Sequence, residues 1–404
     1  MKPWFKVLLG IVSGIAVGLI LNRPVTFLSL TGKAFINLLK MLVGLIVFSS
    51  LVTGMCHIND PKKLGKIGIT TLLFYVCSTL CAIGIGLVTV YAIRPGQGLA
   101  LEVQATHATS KTLNLTDFLF SIVPSNPFVA FVRGDILQVI IFAALFAIAM
   151  ILIKEKALPV LHVVESLGEV MARLTHLVMA LAPYGVFALM ATTVGSVGLK
   201  VIMPLLRAIL CIFLACMLQV VVIFFASLRI LTKVRITPFF KGMKDAIIVA
   251  FTTSSSSATL PVSLECSQKH LGISPDIAGF TLSLGSTVNM NGTAIGQAIL
   301  SLFIAQAYAI PVTPFMLVIL IFTTLLSAIG TAGVPGSGLV MLSIVLNAMG
   351  LPLEGIALVA GIDRFRDMFG TVVNILGDAV AALYVAKKEG AVDSEKYDAA
   401  TWVD

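Results

Sequence analysis

Asp367, Asn374 and Asp378 stand seven and four residues apart in an apolar stretch, so at helical period they share one face. Asp363, Arg364 and Arg366 lie just before them. A charge at a bilayer centre costs at least ~2.5 to 3.5 kcal/mol, so such residues turn toward a site or a partner. For the first cluster the bland reading is internal pairing, Asp363 with Arg366 or Arg364 with Asp367. Asp378 has no basic residue within a turn and reads as a ligand. Upstream, Gly285, Ser286, Thr287, Asn289, Asn291, Gly292 and Thr293 interrupt another apolar run, and Gly292 is expected to loosen that helix and free its carbonyls. Carbonyls, amide oxygens and one carboxylate are hard ligands, which suit an alkali cation better than a transition metal.

Two further breakers lie in the same apolar third: the serine run 254–257, closed by Pro261, and the Gly-rich stretch 330–338. Irregular backbone survives at membrane depth only where protein buries it or it lines a wet cavity, because each unpaired N–H or C=O in hydrocarbon costs several kcal/mol. An intramembrane serine hydrolase built on Ser256 or Ser337 needs a general base. The histidines stand at 57, 107, 162, 176 and 270, outside the last two apolar spans, which argues against that reading.

The elements that position these groups follow from hydropathy. The 404 residues are 58% hydrophobic and 11% charged, with mean hydropathy +1.05, too apolar for a soluble domain. The net charge of +8 comes from lysines and arginines between apolar spans without interleaved aromatics, so it reports topology and not nucleic acid. Eight spans are expected, at 7–21, 34–54, 67–93, 136–153, 160–197, 201–228, 277–307 and 355–386. The basic clusters at Lys2 and Lys6, Lys62 to Lys66, Lys154 and Lys156, Arg229 to Lys244, and Lys387 and Lys388 then fall on one side, with both termini cytoplasmic. The first span exits through Leu21, Asn22, Arg23 and Pro24, which offer no small-residue cleavage site, so it reads as a retained helix. The six cysteines read as packing residues, the stretch from Arg94 to Asp117 as an outer loop, and the acidic end, 389–404, as a disordered tail.

The segment 237–266 follows a cytoplasmic cluster and precedes Lys269 and His270, so it enters and leaves from inside; 314–351 enters and leaves from outside. Two re-entrant hairpins of opposite entry, each followed by a full span, make an inverted repeat whose tips can meet around a substrate site.

At these residues the chain resembles the dicarboxylate/amino acid:cation symporter family, to which the glutamate transporters belong. Thr253 to Pro261 resembles its first-hairpin serine motif, Asn289 to Thr293 its Asn-Met-Asp-Gly-Thr, Gly330 to Gly336 its second-hairpin tip, Asp367 to Asp378 its substrate helix, and Leu137 to Phe142 its fourth-span signature. The resemblance implies an all-α polytopic membrane protein with eight transmembrane helices plus two re-entrant hairpins. It implies a homotrimer among membrane lipid in the bacterial inner membrane, with no enzymatic chemistry and no cofactor beyond a coupling ion, Na+ or H+. Scaffold parts would be 1–66 and 118–200, the third span and outer loop 67–117, the moving transport core 201–388, and the cytoplasmic tail 389–404. By position, Ser256 and Asn374 would hold a substrate α-carboxylate, Asp367 and the Val334 carbonyl its ammonium, and Thr293 and Thr371 would line the side-chain pocket. One sodium site would use Asp378 with carbonyls of Gly285, Asn289 and Asn374; a second, Thr287 with carbonyls of Ala328, Ile329 and Thr331; a third, Tyr75, Ser78, Thr79, Asn289 and Asn291.

This chain departs from that pattern. Gly370 occupies the position of the arginine that pairs an acidic substrate side chain, and a carboxylate left unpaired in a dry site costs roughly 3 to 5 kcal/mol, so a neutral amino acid becomes the expected substrate. The alternative keeps an acidic amino acid or dicarboxylate through Arg366, reaching into the space that glycine leaves. Asn291 replaces an aspartate, which weakens the third cation site. Gln297 replaces a titratable glutamate, and Ser254 and Met368 occupy both positions where relatives carry a further arginine.

Overall fold

The computed structural model describes residues 3–21, 23, 26–56, 64–99, 101, 123–133, 136–329, 331 and 333–398. Nearly all are helical, as backbone in hydrocarbon must be, since each N–H and C=O has to pair within its own segment. Among the described residues, four helical runs are long and apolar enough to cross a membrane: Ile67–Ile93, Ile202–Leu231, Pro275–Ala307 and Asp363–Lys388. Lys2, Lys62, Lys63, residues 102–117 of the expected outer loop, Gly330, Ala332 and 399–404 lie outside the described residues.

The first helices are α1 (Pro3–Leu21), α2 (Thr26–Cys56), α3 (Leu64–Ile93) and α4 (Ile136–Ile153). The expected single span over 160–197 is instead two helices, α5 (Leu158–Ala180) and α6 (Ala182–Val197). Pro183 lies in the first turn of α6, where its missing N–H costs nothing, but it cannot donate back into α5. Helices α1 and α2 pack against α6, and α2 also against α4 and α5.

The second group begins with α3 and α7 (202–231), whose later turns are π-helical over Gln219–Phe224 and Ser227–Leu231. A helical pair, α8 (Lys244–Thr253) and α9 (Ser256–Lys269), reverses at Ser254, which caps α8 in the left-handed region at φ 54°. Ser255 caps α9, its Oγ accepting the Ala258 N–H at 3.1 Å. The seventh expected span is broken into α10 (Pro275–Val288) and α11 (Asn291–Ala307), with Asn289 and Met290 non-helical between them. Gly292 lies inside the first turn of α11 and is not the break; its role is a close helix crossing described below. A second pair, α12 (Pro314–Ile329) and α13 (Ser337–Ala348), follows. The eighth expected span is a short helix, Gly355–Val359, and then α14 (Asp363–Lys388), so Asp363 falls in a first turn, where the helix dipole favours an anion.

Helix α14 packs against α10, α11 and α8, and α3 packs against α11. Nearly all of α11 is buried. The groups touch where α10 and α13 meet α2.

The described part of the acidic end, 389–398, departs from the expected disorder. Asp393 N–H donates to the Gly272 carbonyl at 2.8 Å, Ser274 N–H donates to the Ala391 carbonyl at 3.1 Å, and α15 (Ser394–Asp398) follows. Tyr397 is 3% exposed and donates its hydroxyl to the Arg235 carbonyl at 2.6 Å. One buried aromatic ring anchors the short segment against the base of the first hairpin, despite its charge.

Candidate functional site

The two helical pairs meet at their tips. Ser255 Oγ donates to the Gly333 carbonyl at 2.6 Å, and the Ser257 N–H donates to the same oxygen at 3.1 Å. Ser256 is buried beside them at the start of α9. Gly336, at φ 83°, adopts a conformation that favours glycine and aims its N–H at Asp367 Oδ2, 2.8 Å away. The second tip is thereby fastened to α14. The Val334 carbonyl accepts the Ser337 hydroxyl at 2.8 Å, and Thr331 Oγ1 donates to the Ser327 carbonyl at 2.6 Å.

Asn374 links α14 to the broken helix. Its Oδ1 accepts the Gly292 N–H at 2.7 Å, and its Nδ2 approaches Met290 Sδ at 3.2 Å. A side chain at Gly292 would collide with the Gly370 backbone, and a Cβ at Gly370 would lie 3.2 Å from the Gly292 carbonyl carbon. The space expected above Gly370 is therefore filled by the first turn of α11. Thr293 and Thr371, one residue further along each helix, are also buried.

Arg366 does not reach toward Gly370. Its Nε donates to Asp363 Oδ1 at 2.7 Å and its Nη2 to Asp367 Oδ1 at 2.6 Å, and it is 2% exposed. The guanidinium occupies ground that a side chain at Gly338 of α13 would take, and its stem does the same at Gly296 of α11. The expected Asp363 pairing is present, while Arg364 donates its Nη2 to the Thr253 carbonyl at 3.4 Å. The glycines that admit Arg366 carried a readable signal, Gly338 two residues past Gly336 at the tip and Gly296 one helical turn past Gly292, which the sequence reading did not use.

Around Asp378 the groups are buried. The Asn289 Nδ2 donates to Asp378 Oδ1 at 2.8 Å, while Asn289 Oδ1 is buried without a partner. A Cβ at Gly285 would collide with the Asp378 carboxylate and the Tyr75 hydroxyl, so the α10 backbone lies close against both. A buried carboxylate, an orphaned amide oxygen and a close helix end fit a dehydrated alkali cation, which satisfies such oxygens together. Ala328 and Ile329 end α12; Thr287 Oγ1 bonds the Leu284 carbonyl at 3.1 Å.

In the expected third cation set Ser78, Thr79 and Asn291 are bonded to one another, while Tyr75 and Asn289 turn to other partners. Thr79 Oγ1 donates to Asn291 Oδ1 at 2.8 Å, Asn291 Nδ2 donates to Ser78 Oγ at 2.5 Å, and the Tyr75 hydroxyl donates to the Thr281 carbonyl at 2.8 Å. Gln219 of α7, which the sequence reading missed, joins this layer by donating its Nε2 to the Ser78 carbonyl at 3.2 Å. A glutamine in an apolar span was its signal. Gln297 Oε1 accepts the Ser327 hydroxyl at 2.6 Å. Of the histidines, His162 and His270 bond Glu165 and the Gly242 carbonyl, away from Ser256 and Ser337.

Comparison with known proteins gives the family of the chain. The profile described as the Sodium:dicarboxylate symporter family matches residues 4–388. A "Proton/sodium-glutamate symport protein" of Geobacillus stearothermophilus is 33% identical over 97% of this chain and 96% of its own. One of the same name from Bacillus subtilis (strain 168) is 35% identical over 97% and 94%, and a "C4-dicarboxylate transport protein" of Anaeromyxobacter sp. (strain K) is 36% identical over 97% and 91%. The family is one of transporters and not of enzymes. The broken helices, the buried polar layer and these matches together place the chain in the sodium:dicarboxylate symporter family, as a multi-pass membrane protein.

Proposed function

We propose that the protein is a cation-coupled symporter for a small substrate with two carboxylates, an acidic amino acid or a C4-dicarboxylate. The observation that carries this reading is the seat of Arg366, a buried guanidinium held against the second tip between Asp363 and Asp367. Two of its five N–H groups go to those carboxylates, which leaves donors for a substrate carboxylate. The names of the relatives, glutamate and C4-dicarboxylate carriers, support the same class. Gly370 thus loses the weight it carried toward a neutral substrate, because the cation it lacks is supplied one turn earlier from a different direction.

In this scheme Ser256 and Asn374 take one carboxylate and Arg366 the other, with Asp367 receiving an ammonium where the substrate has one. Asp378 and the orphaned Asn289 oxygen take a sodium ion, and Thr287 with the end of α12 a second. Two sodium ions carry one net positive charge inward with a monoanionic acidic amino acid, worth roughly 2.3 kcal/mol per 100 mV, and none with a dicarboxylate dianion, for which the sodium gradient alone supplies the drive. A neutral amino acid is the second reading, favoured by the double pairing of Arg366, which offsets its charge before any substrate arrives.

The test is uptake into proteoliposomes of labelled aspartate, glutamate, succinate, alanine and serine, with and without an inward sodium gradient. Sodium-dependent accumulation of the first three is expected. Accumulation restricted to alanine and serine would overturn the acidic reading.

A further inference from the structure

We propose that Arg364 is a positioning residue that anchors the tip of the first hairpin to the substrate helix α14. Its Nη2 donates to the Thr253 carbonyl at 3.4 Å, and its Nε is buried with no partner. Thr253 is the last residue of α8, so its carbonyl stands at the negative end of that helix, where carbonyls lack intrahelical donors and a cation is favoured. The next residue, Ser254, holds a left-handed conformation uncommon for a side-chain-bearing residue, and its own Oγ is buried without a partner.

The turn that presents Ser255, Ser256 and Ser257 therefore carries one left-handed residue and one buried hydroxyl without a partner. Ser254 and Met368 are uncharged, whereas Arg364 comes from the helix that carries Asp367 and Asn374. Through it, the first hairpin's serines are held in register with α14 independently of the second tip. The inference rests on the proposed substrate site only for its consequence, since the anchoring is a property of the substrate-free chain.

Hydrogen exchange on the full-length protein in lipid nanodiscs, without substrate, tests it. The amides to follow are those of Ser254, bonded to the Ala250 carbonyl, of Ala258, bonded to Ser255 Oγ, and of Thr259, bonded to the Ser255 carbonyl. Arg364→Ala is expected to speed their exchange about tenfold, the scale of one lost charge-assisted bond. Arg364→Lys, which keeps the cation, should restore most of the protection, and the sodium concentration that half-stabilises the protein in thermal melts should not move. Unchanged exchange in Arg364→Ala overturns the proposal. So does an equal rise at the second tip and along α11, or a failure of lysine to restore protection. None of these readouts depends on which substrate is carried, so a failed uptake panel and a failed anchor are told apart.

Discussion

The carboxamide of Asn291 and the hydroxyl of Thr79 are joined by a 2.8 Å hydrogen bond that ties α11 to α3 at a fully buried point. The other end of the same amide holds Ser78. An amide supplies donor and acceptor together, so it bridges two hydroxyls directly where a carboxylate would have gathered oxygens around a cation. Three of the groups expected to form a third cation position, Ser78, Thr79 and Asn291, are thus tied by the protein's own bonds. Uptake should show a lower sodium Hill coefficient than the Asn291→Asp variant, which restores the charge. A wild-type stoichiometry that includes a sodium ion at this layer, measured from reversal potentials and abolished by Thr79→Val, would refute this account.

Gly292 and Gly370 make an asymmetric crossing. A Cβ on Gly292 runs into the Gly370 backbone, whereas a Cβ on Gly370 meets Gly292 at 3.2 Å, a distance that small shifts relieve. Overpacking a filled core costs typically ~1 to 3 kcal/mol. Gly292→Ala should therefore lower the unfolding temperature in detergent clearly more than Gly370→Ala. Equal effects would mean that the helices do not cross as described. The same geometry limits Gly370→Arg, whose stem has to displace the first turn of α11 before its charge can serve a substrate.

Much of the site was legible because burial of polar residues in hydrocarbon is costly enough to mark them individually. Asp367, Asn374 and Asp378 share a buried face of one helix, and Asn289 stands at a true helix break. Which neighbour each group takes was not legible, because it depends on the close approach of helices far apart in sequence. The pairing of Arg366 with Asp363 was legible from their spacing, whereas the alternative reach toward Gly370 fails because the arginine follows the gaps at Gly296 and Gly338, which come from α11 and α13. The tail failed for a related reason: its composition reads as solvated, yet one tyrosine finds a carbonyl more than a hundred residues away.

That tyrosine gives a pH-dependent contact outside the membrane-spanning helices. Burial first, and then the charge of Asp398, hold the Tyr397 hydroxyl above its ordinary range. A raised pKa in the folded state means that the docked tail binds the proton more tightly than the free one. Its contribution is fully present below pH about 10 and is lost as pH rises through the raised value. A fluorophore near residue 398 should report a docked tail at neutral pH and release under alkali, and Tyr397→Phe should weaken docking by about 1 kcal/mol and remove the alkaline step. An alkaline step of unchanged size in Tyr397→Phe would assign the release to another group.

Arg366 decides between the two substrate readings, and its removal alone is a poor test because it strands two buried carboxylates at a cost of roughly 3 to 5 kcal/mol. Asp363→Asn is cleaner. It keeps a hydrogen-bond acceptor for the Arg366 Nε, removes one of the two charges that offset the guanidinium, and leaves Asp367 on Gly336. If Arg366 receives a substrate carboxylate, the variant should bind aspartate or succinate several-fold more tightly and leave alanine and serine unaffected. The paired variant Asp363→Asn with Arg366→Gln, which avoids stranding Asp363, should then lose acidic substrates specifically. Retention of acidic uptake in that double variant would remove Arg366 from the binding site and leave its ion pairs as a clamp between α14 and the second hairpin.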